Sequence, residues 1–144
     1  MEHGTRREVS SEEDLRWEPR RTRLPSGASI DEVINRRNLD LANELFSEEH
    51  ELRPDVPQVT RGPEGMKRAF AGLHEEFPDV RVEIEAMVAE GDMVAVRLTF
   101  SGTHAPTGER ARWPEMVFAR FSGGKAVESW EVRDSRRGWD SPPW

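Results

Sequence analysis

The spacing of apolar residues changes twice along the chain, and each change predicts a different kind of structure. Residues 1–28 carry only six apolar side chains (Met1, Val9, Leu15, Trp17, Leu24 and Ala28) among six acidic and six basic ones. Such a segment buries too little surface to offset its own ordering entropy. It reads as a flexible arm, or as an arm docked on a neighbouring subunit with Trp17 and Leu24 as anchors. From Ser29 the apolar positions take helical spacing. Ser29-x-x-Glu32 is a capping-box pattern for a short helix over Ile30, Val33 and Ile34. A second helical stretch follows Asn38, where Leu41/Leu45 and Ala42/Phe46 stand four apart. A third starts at Gly62-Pro63, since proline suits the first helical position. Its stripe of Met66, Phe70, Leu73 and Phe77 predicts a core face, and Pro78 ends it.

After Pro78 the period becomes two. Val80, Val82, Ile84, Ala86 and Val88 alternate with Arg81, Glu83, Glu85 and Met87, which predicts a strand with one apolar face. Glu90-Gly91-Asp92 predicts a hairpin turn, and Val94, Val96, Leu98 and Phe100 continue that face. Residues 105–109 form a loop with Pro and Gly, and Gly123-Gly124 marks a second tight hairpin. The result is a four-strand antiparallel meander behind helices. The predicted domain spans 29–138, between the arm (1–28) and a short C-terminal tail (139–144).

A two-residue turn at Gly123-Gly124 pairs Ser122 with Lys125, which sets Val117 opposite Trp130 and Trp113 opposite Asp134. The helix-facing side then reads Trp113, Val117, Ala119 and Phe121, with Ala126, Trp130 and Val132. Four polar residues fall on that same side: His104, Glu115, Glu128 and Asp134. His104 and Asp134 end strands that run the same way, two strand spacings or ~10 Å apart. A buried carboxylate without a partner is costly, so each needs a partner or a wet cavity. Each also has a plainer reading. Glu128 fits a hydrogen-bonded core residue or a register error, Glu115 a structural residue near an edge, and His104 and Asp134 turn residues. Several polar groups converging on one apolar face is the usual makeup of a small-molecule pocket. The opposite face leaves Ala95, Thr99, Met116 and Phe118 as a candidate docking surface.

Composition narrows the chemistry. The 144 residues are 35% hydrophobic and 34% charged, with a formal net charge of −7. An acidic domain repels phosphate backbones and anionic lipid, so neither nucleic acid nor a membrane is expected as a partner. The absence of Cys removes disulfides, zinc–thiolate sites and thiol nucleophiles. No apolar leader region or membrane-length run is present, which predicts a cytoplasmic protein. No phosphate-cradling glycine loop, Gly-x-Ser-x-Gly elbow or His-x-x-x-His metal spacing occurs. Lys67 and Lys125 are the only lysines, one on a helix and one beside a turn, which argues against Schiff-base chemistry.

An ordered series of short motifs resembles one family. Residues 35–46 (Asn-Arg-Arg-Asn-Leu-Asp-Leu-Ala-Asn-Glu-Leu-Phe), Gly62-Pro-Glu-Gly65, Phe77-Pro-Asp79, Gly102-Thr-His104 and Gly124-Lys-x-Val-Glu-x-Trp130-x-x-x-Asp134 resemble the SnoaL-like polyketide (ester) cyclases of the nuclear-transport-factor-2-like superfamily. The resemblance implies an α+β fold, a cone-shaped barrel of curved antiparallel sheet closed by about three N-terminal helices, often as a homodimer. It also implies an intramolecular aldol condensation without metal or cofactor. Asp134 matches the family's acid/base carboxylate and His104 a pocket histidine that would polarise a carbonyl. Trp113 and Trp130 would stack on a flat substrate, with Glu115, Glu128, Phe46, Phe70 and Phe100 completing the substrate pocket.

The chain departs from the family pattern in several places. Pro19, Pro25 and Gly27 stand where the first helix normally runs. Leu52-Arg53 stands where a histidine often follows Leu-Phe, the loop after Gly-Thr-His is short, and the C-terminal ending lacks the apolar close. The expected function is acid–base chemistry of the aldol-cyclase or isomerase type on a hydrophobic small molecule. The alternative is a non-catalytic ligand-binding or dimerisation domain of the same fold. An epoxide hydrolase of the same superfamily would need an Arg between two Asp residues; Asp134 could supply one, but Arg97 has no Asp near it on its strand and points to the opposite face.

Overall fold

The structure is a computed structural model that describes residues 30–54 and 60–133. The N-terminal arm, the capping Ser29, Asp134 and the C-terminal tail lie outside the described residues. The first helical spacing forms α1 (Ile30–Asn35), followed by a 3-10 turn at Leu39–Leu41 and one turn of helix, α2 (Ala42–Leu45). Then come β1 (Phe46–Pro54), β2 (Thr60–Arg61) and the long helix α3 (Gly62–Glu76). The alternating half of the chain gives β3 (Arg81–Glu90), β4 (Met93–Thr103), β5 (Arg110–Ser122) and β6 (Lys125–Arg133). This is an α+β fold built on one curved six-stranded sheet in the order β2-β1-β6-β5-β4-β3. The sheet does not close, and β2 and β3 form its edges.

The helical stripe behaves as its spacing predicts. Met66, Phe70, Leu73 and Phe77 are all buried in one core with Val33, Ile34, Leu45 and the inner sheet residues Val82, Val94, Leu98 and Phe100. Pro63 sits in the first turn of α3, and Phe77 closes the helix through its N–H to the Leu73 carbonyl. Gly62 enters the helix at φ 64°, with a would-be Cβ only 3.2 Å from the Glu48 carbonyl oxygen, so a side chain there meets both strain and backbone.

The expected second helix is cut short. Phe46 has φ −117° and ψ 136°, and it starts β1 where the Ala42/Phe46 spacing predicts helix. Residues 46–54 are mostly polar and show no clean alternation, so pairing determines their state. β1 lies parallel to β6 at Phe46 and again from Glu51, and antiparallel to β2 at Glu51 and Leu52, so its second half is paired on both sides. The four-strand meander therefore gains two strands and one parallel pair.

Two bulges correct the register. Between β3 and β4 the ladder passes from Ile84 opposite Leu98 to Ala86 opposite Arg97, leaving Glu85 as an extra residue. Beyond it the faces exchange, so Met87 is buried and Val88 is 60% exposed, against the unbroken alternation expected through Val88. Between β5 and β6 the ladder passes from Phe121 opposite Ala126 to Arg120 opposite Glu128, leaving Val127 extra. Val117 then faces Glu131 rather than Trp130. Trp130, Val132 and Glu128, all expected on the helix-facing side, turn to the outer face, while Ser129 and Glu131 turn inward.

The motifs after α3 form a latch at one end of the sheet. Asp79 accepts the Thr103 N–H at 2.6 Å and its hydroxyl at 2.9 Å, and Arg110 reaches the same carboxylate at 2.9 Å. The Thr103 N–H, ahead of the hydroxyl and the guanidinium, holds the Asp79 carboxyl below its usual range. Gly102 lies against Phe77, where a Cβ would come within 3.2 Å of the Phe77 Cβ.

Candidate functional site

The inner sheet face and the helices enclose a cavity of about 100 Å³. Its wall is mostly apolar, with Phe46 and Leu52 from β1, Phe70 from α3, Met87 from β3 and Phe100 from β4. Three polar residues interrupt that wall, Glu115 from β5 and Ser129 and Glu131 from β6. The Val127 bulge is what brings the two β6 residues to this side.

Glu115 is 5% exposed. Its Oε1 accepts the indole N–H of Trp113 at 3.0 Å, two residues back on the same face of β5. Arg133, opposite Glu115 across the ladder, brings Nε to 3.8 Å from Oε1 and Nη2 to 2.6 Å from Glu131 Oε1. One guanidinium thus stands between two carboxyl groups in the cavity wall. Burial, reinforced by the Glu131 charge, pushes the Glu115 carboxyl up to about 8, against the opposing pull of Arg133 and the Trp113 N–H. Glu115 is therefore largely protonated at neutral pH. A proton donor thus lies in a largely apolar cavity beside the close Arg133–Glu131 pair.

A second polar pair lies further along β6. His50 of β1 is fully buried, and its Nε2 is 2.9 Å from the Ser129 hydroxyl oxygen. Its ring packs on Phe46 with centroids 4.6 Å apart. Burial lowers the His50 pKa to about 4, more than the Glu51 charge raises it, so the ring is neutral. His50 stands four residues after Phe46, two before the Leu52-Arg53 pair. Its polar neighbours Ser47, Glu48 and Glu49 hid it, because β1 has no alternation to mark it as inward.

The other expected site residues divide between the cavity and the rest of the molecule. Phe46, Phe70, Phe100 and Glu115 line the cavity. Trp113 is fully buried and is not part of the cavity wall; it stacks on Phe100 (5.3 Å, 7°), tilts against Phe77 (5.0 Å) and donates to Glu115. Trp130 lies on the outer sheet face, 37% exposed, opposite Phe118. Glu128 is also outward, pairing with Arg53 at 3.4 Å and Arg120 at 3.7 Å. His104 belongs to the latch, with Nε2 2.9 Å from Glu76 and Nδ1 2.9 Å from Thr107. Asp134 lies outside the described residues. Among the described residues, no group of three or more His, Asp or Glu is arranged to hold a metal ion, and no helix is long and apolar enough to cross a membrane.

Comparison with known proteins bears on the fold and the family. Residues 28–136 match the sequence model of a family described as SnoaL-like polyketide cyclase. No curated protein sequence matches the chain. Among solved structures, AclR from Streptomyces galilaeus, a candidate hydroxylase, is 30% identical over 72% of this chain and 82% of its own, with a TM-score of 0.63. IdmH from Streptomyces antibioticus, a candidate polyketide cyclase, is 25% identical over 78% of this chain and 93% of its own, with a TM-score of 0.67. A candidate SnoaL-like polyketide cyclase from Jannaschia sp. CCS1 shares the fold at 21% identity, over 72% of this chain and 81% of its own, with a TM-score of 0.64.

Proposed function

This chain belongs to the SnoaL-like polyketide cyclase family, and we propose that its cavity binds a hydrophobic, polyketide-like molecule and acts on it by acid–base chemistry of the aldol-cyclase or isomerase type. The observation that carries the proposal is Glu115, a carboxyl group raised to about 8 in an otherwise apolar wall. A neutral carboxyl donates a hydrogen bond to a carbonyl oxygen and can deliver its proton when that oxygen becomes an alkoxide. The complementary base removes a proton from the carbon α to a second carbonyl. Asp134, the base that the motif match implies, directly follows Arg133 in sequence. In the aldol case the resulting enolate carbon bonds to the polarised carbonyl carbon, and the new alkoxide takes the Glu115 proton. The proton held by the base then returns to Glu115, so no atom or electron is left over.

A simple ketone tests this without knowledge of the natural substrate. In D2O, wild-type protein should accelerate exchange of the α-protons of 2-tetralone, followed by NMR. Asp134→Asn and Glu115→Gln should each lower the catalysed rate by about 100-fold or more, the usual span of a general acid or base. Binding of the ketone with no accelerated exchange would favour the second reading, a non-catalytic ligand-binding domain. The alternative of a dimerisation domain has its own support in the apolar outer face around Met116 and Phe118. We take that face as a homodimer interface, compatible with either role of the cavity.

A further inference from the structure

The His50–Ser129 pair has no part in the acid–base scheme, yet one of its members lines the cavity. Its hydrogen-bond accounting is incomplete in an informative way. Nε2 of His50 lies 2.9 Å from the Ser129 hydroxyl, while Nδ1 is buried without a hydrogen-bond partner among the described residues. A neutral imidazole carries its proton on one nitrogen only. If Nδ1 carried it, a buried N–H would be orphaned, which folded proteins avoid more strictly than a bare acceptor. The proton therefore belongs on Nε2, where it is donated to the serine oxygen. Ser129 then acts as the acceptor in that bond and keeps its own O–H to donate elsewhere.

We propose that Ser129, oriented by His50, is a second recognition point of the cavity and donates its hydroxyl hydrogen to a carbonyl or enolate oxygen of the bound molecule. This rests on the reading of the cavity as a ligand site, and it narrows the ligand class. Ser129 stands opposite Ala119 and Glu115 opposite Arg133, so the two donors are four residues apart along the β5–β6 ladder, about 13 Å between backbones. A molecule that reaches both must carry two oxygen functions on a hydrophobic frame, as a diketone or keto ester does. A hydrocarbon of the same shape offers no acceptor to the hydrogens of the Ser129 hydroxyl and the Glu115 carboxyl. His50 is a positioning residue here, since the fixed N–H donor sets which way the serine hydrogen points. Its depressed pKa agrees with a ring that stays neutral through this role.

Two measurements test the inference. The first needs no ligand and no variant: the ¹⁵N spectrum of His50 in the wild-type protein should show the proton on Nε2 and a bare Nδ1. A proton on Nδ1 would overturn the proposal, because Nε2 would then consume the Ser129 hydrogen. The second compares naphthalene with 1,4-naphthoquinone by calorimetry, the chain having no cysteine for the quinone to alkylate. Wild type should prefer the quinone. Ser129→Ala should reduce that preference three- to tenfold, the loss expected for one hydrogen bond, while leaving naphthalene affinity unchanged. An unchanged preference in Ser129→Ala would overturn the role of Ser129 and leave the cavity reading standing. Failure of both probes to bind wild type would overturn the cavity reading, and this inference with it.

Discussion

Glu115 and His50 are buried titratable groups whose environments push in ways that oppose each other across the pH scale. The Glu115 carboxyl is raised from 4.5 to about 8 by burial, reinforced by Glu131. A group with a raised folded pKa contributes stability that is fully present below its unfolded value and is lost as pH rises through its folded one. Urea melts at pH 5.5 and pH 8.5 should therefore show Glu115→Gln gaining on wild type at the higher pH. An equal difference at both values would mean that Glu115 titrates normally. His50 is lowered from 6.5 to about 4, and burial is the dominant cause. A neutral buried histidine costs stability once its unfolded counterpart takes up a proton, so wild type loses stability as pH falls from 6.5 towards 4. The loss is at most about 3 kcal/mol, set by 1.36 kcal/mol per unit. His50→Gln should be less stable at pH 7 by about 1–2 kcal/mol, since the ring leaves a gap beside Phe46. Its urea midpoint should also change less than that of wild type between pH 7 and 4.5.

Short contacts between elements decide what the helices and strands can do. Asn35, the last residue of α1, imitates a neighbouring strand: its Oδ1 accepts the Val82 N–H at 2.8 Å and its Nδ2 donates to the Val82 carbonyl at 2.9 Å. Both bonds cover the exposed edge of β3 and tie α1 to the sheet. Asn35→Ala should cost about 1–3 kcal/mol in a urea melt, because it strands the Val82 peptide groups. A cost near zero would show that water replaces the amide. The elements themselves were largely legible in the sequence. The α3 stripe, the Gly91 and Gly123-Gly124 turns and four strands follow from spacing alone, because each rests on period and turn chemistry. What escaped was the phase of the strands. In β6 the apolar pair Trp130 and Val132 is more hydrophobic than the Ser129 and Glu131 that alternate with them, so periodicity assigns the wrong pair to the core. The bulge at Val127 reverses it, and nothing local marks a bulge there. The same reversal hid two-thirds of the polar cavity wall. Glu115 was visible because it precedes the bulge and stays in register with Trp113. His50 was hidden for a different reason: β1 is a strand by pairing, not by pattern.

The two bulges also account for the shape of the molecule's outer surface. By turning Val88, Trp130 and Val132 outward, they add to Met116 and Phe118 a set of large apolar side chains that are 37–61% exposed. Register makes this set continuous, since Met116 faces Val132, Phe118 faces Trp130 and Ala95, and Ala95 faces Val88. Continuous apolar patches of this kind mark association surfaces more often than free ones. The face runs across the strands that carry Glu115, Ser129 and Glu131 on their other side, so an interface here would stiffen the wall that holds the cavity's polar groups. A second copy of the chain meeting it face to face would bury aromatic and aliphatic groups from both sheets in one step. The homodimer should therefore appear in light scattering at twice the chain mass, and Met116→Lys with Phe118→Lys should return it to the mass of one chain. Since both side chains point away from the core, the double variant should keep its folded circular dichroism spectrum. A mass unchanged by the two lysines would place the dimer contact elsewhere on the molecule. A wild type already at the mass of one chain would remove the dimer altogether and leave the outer face to a different partner.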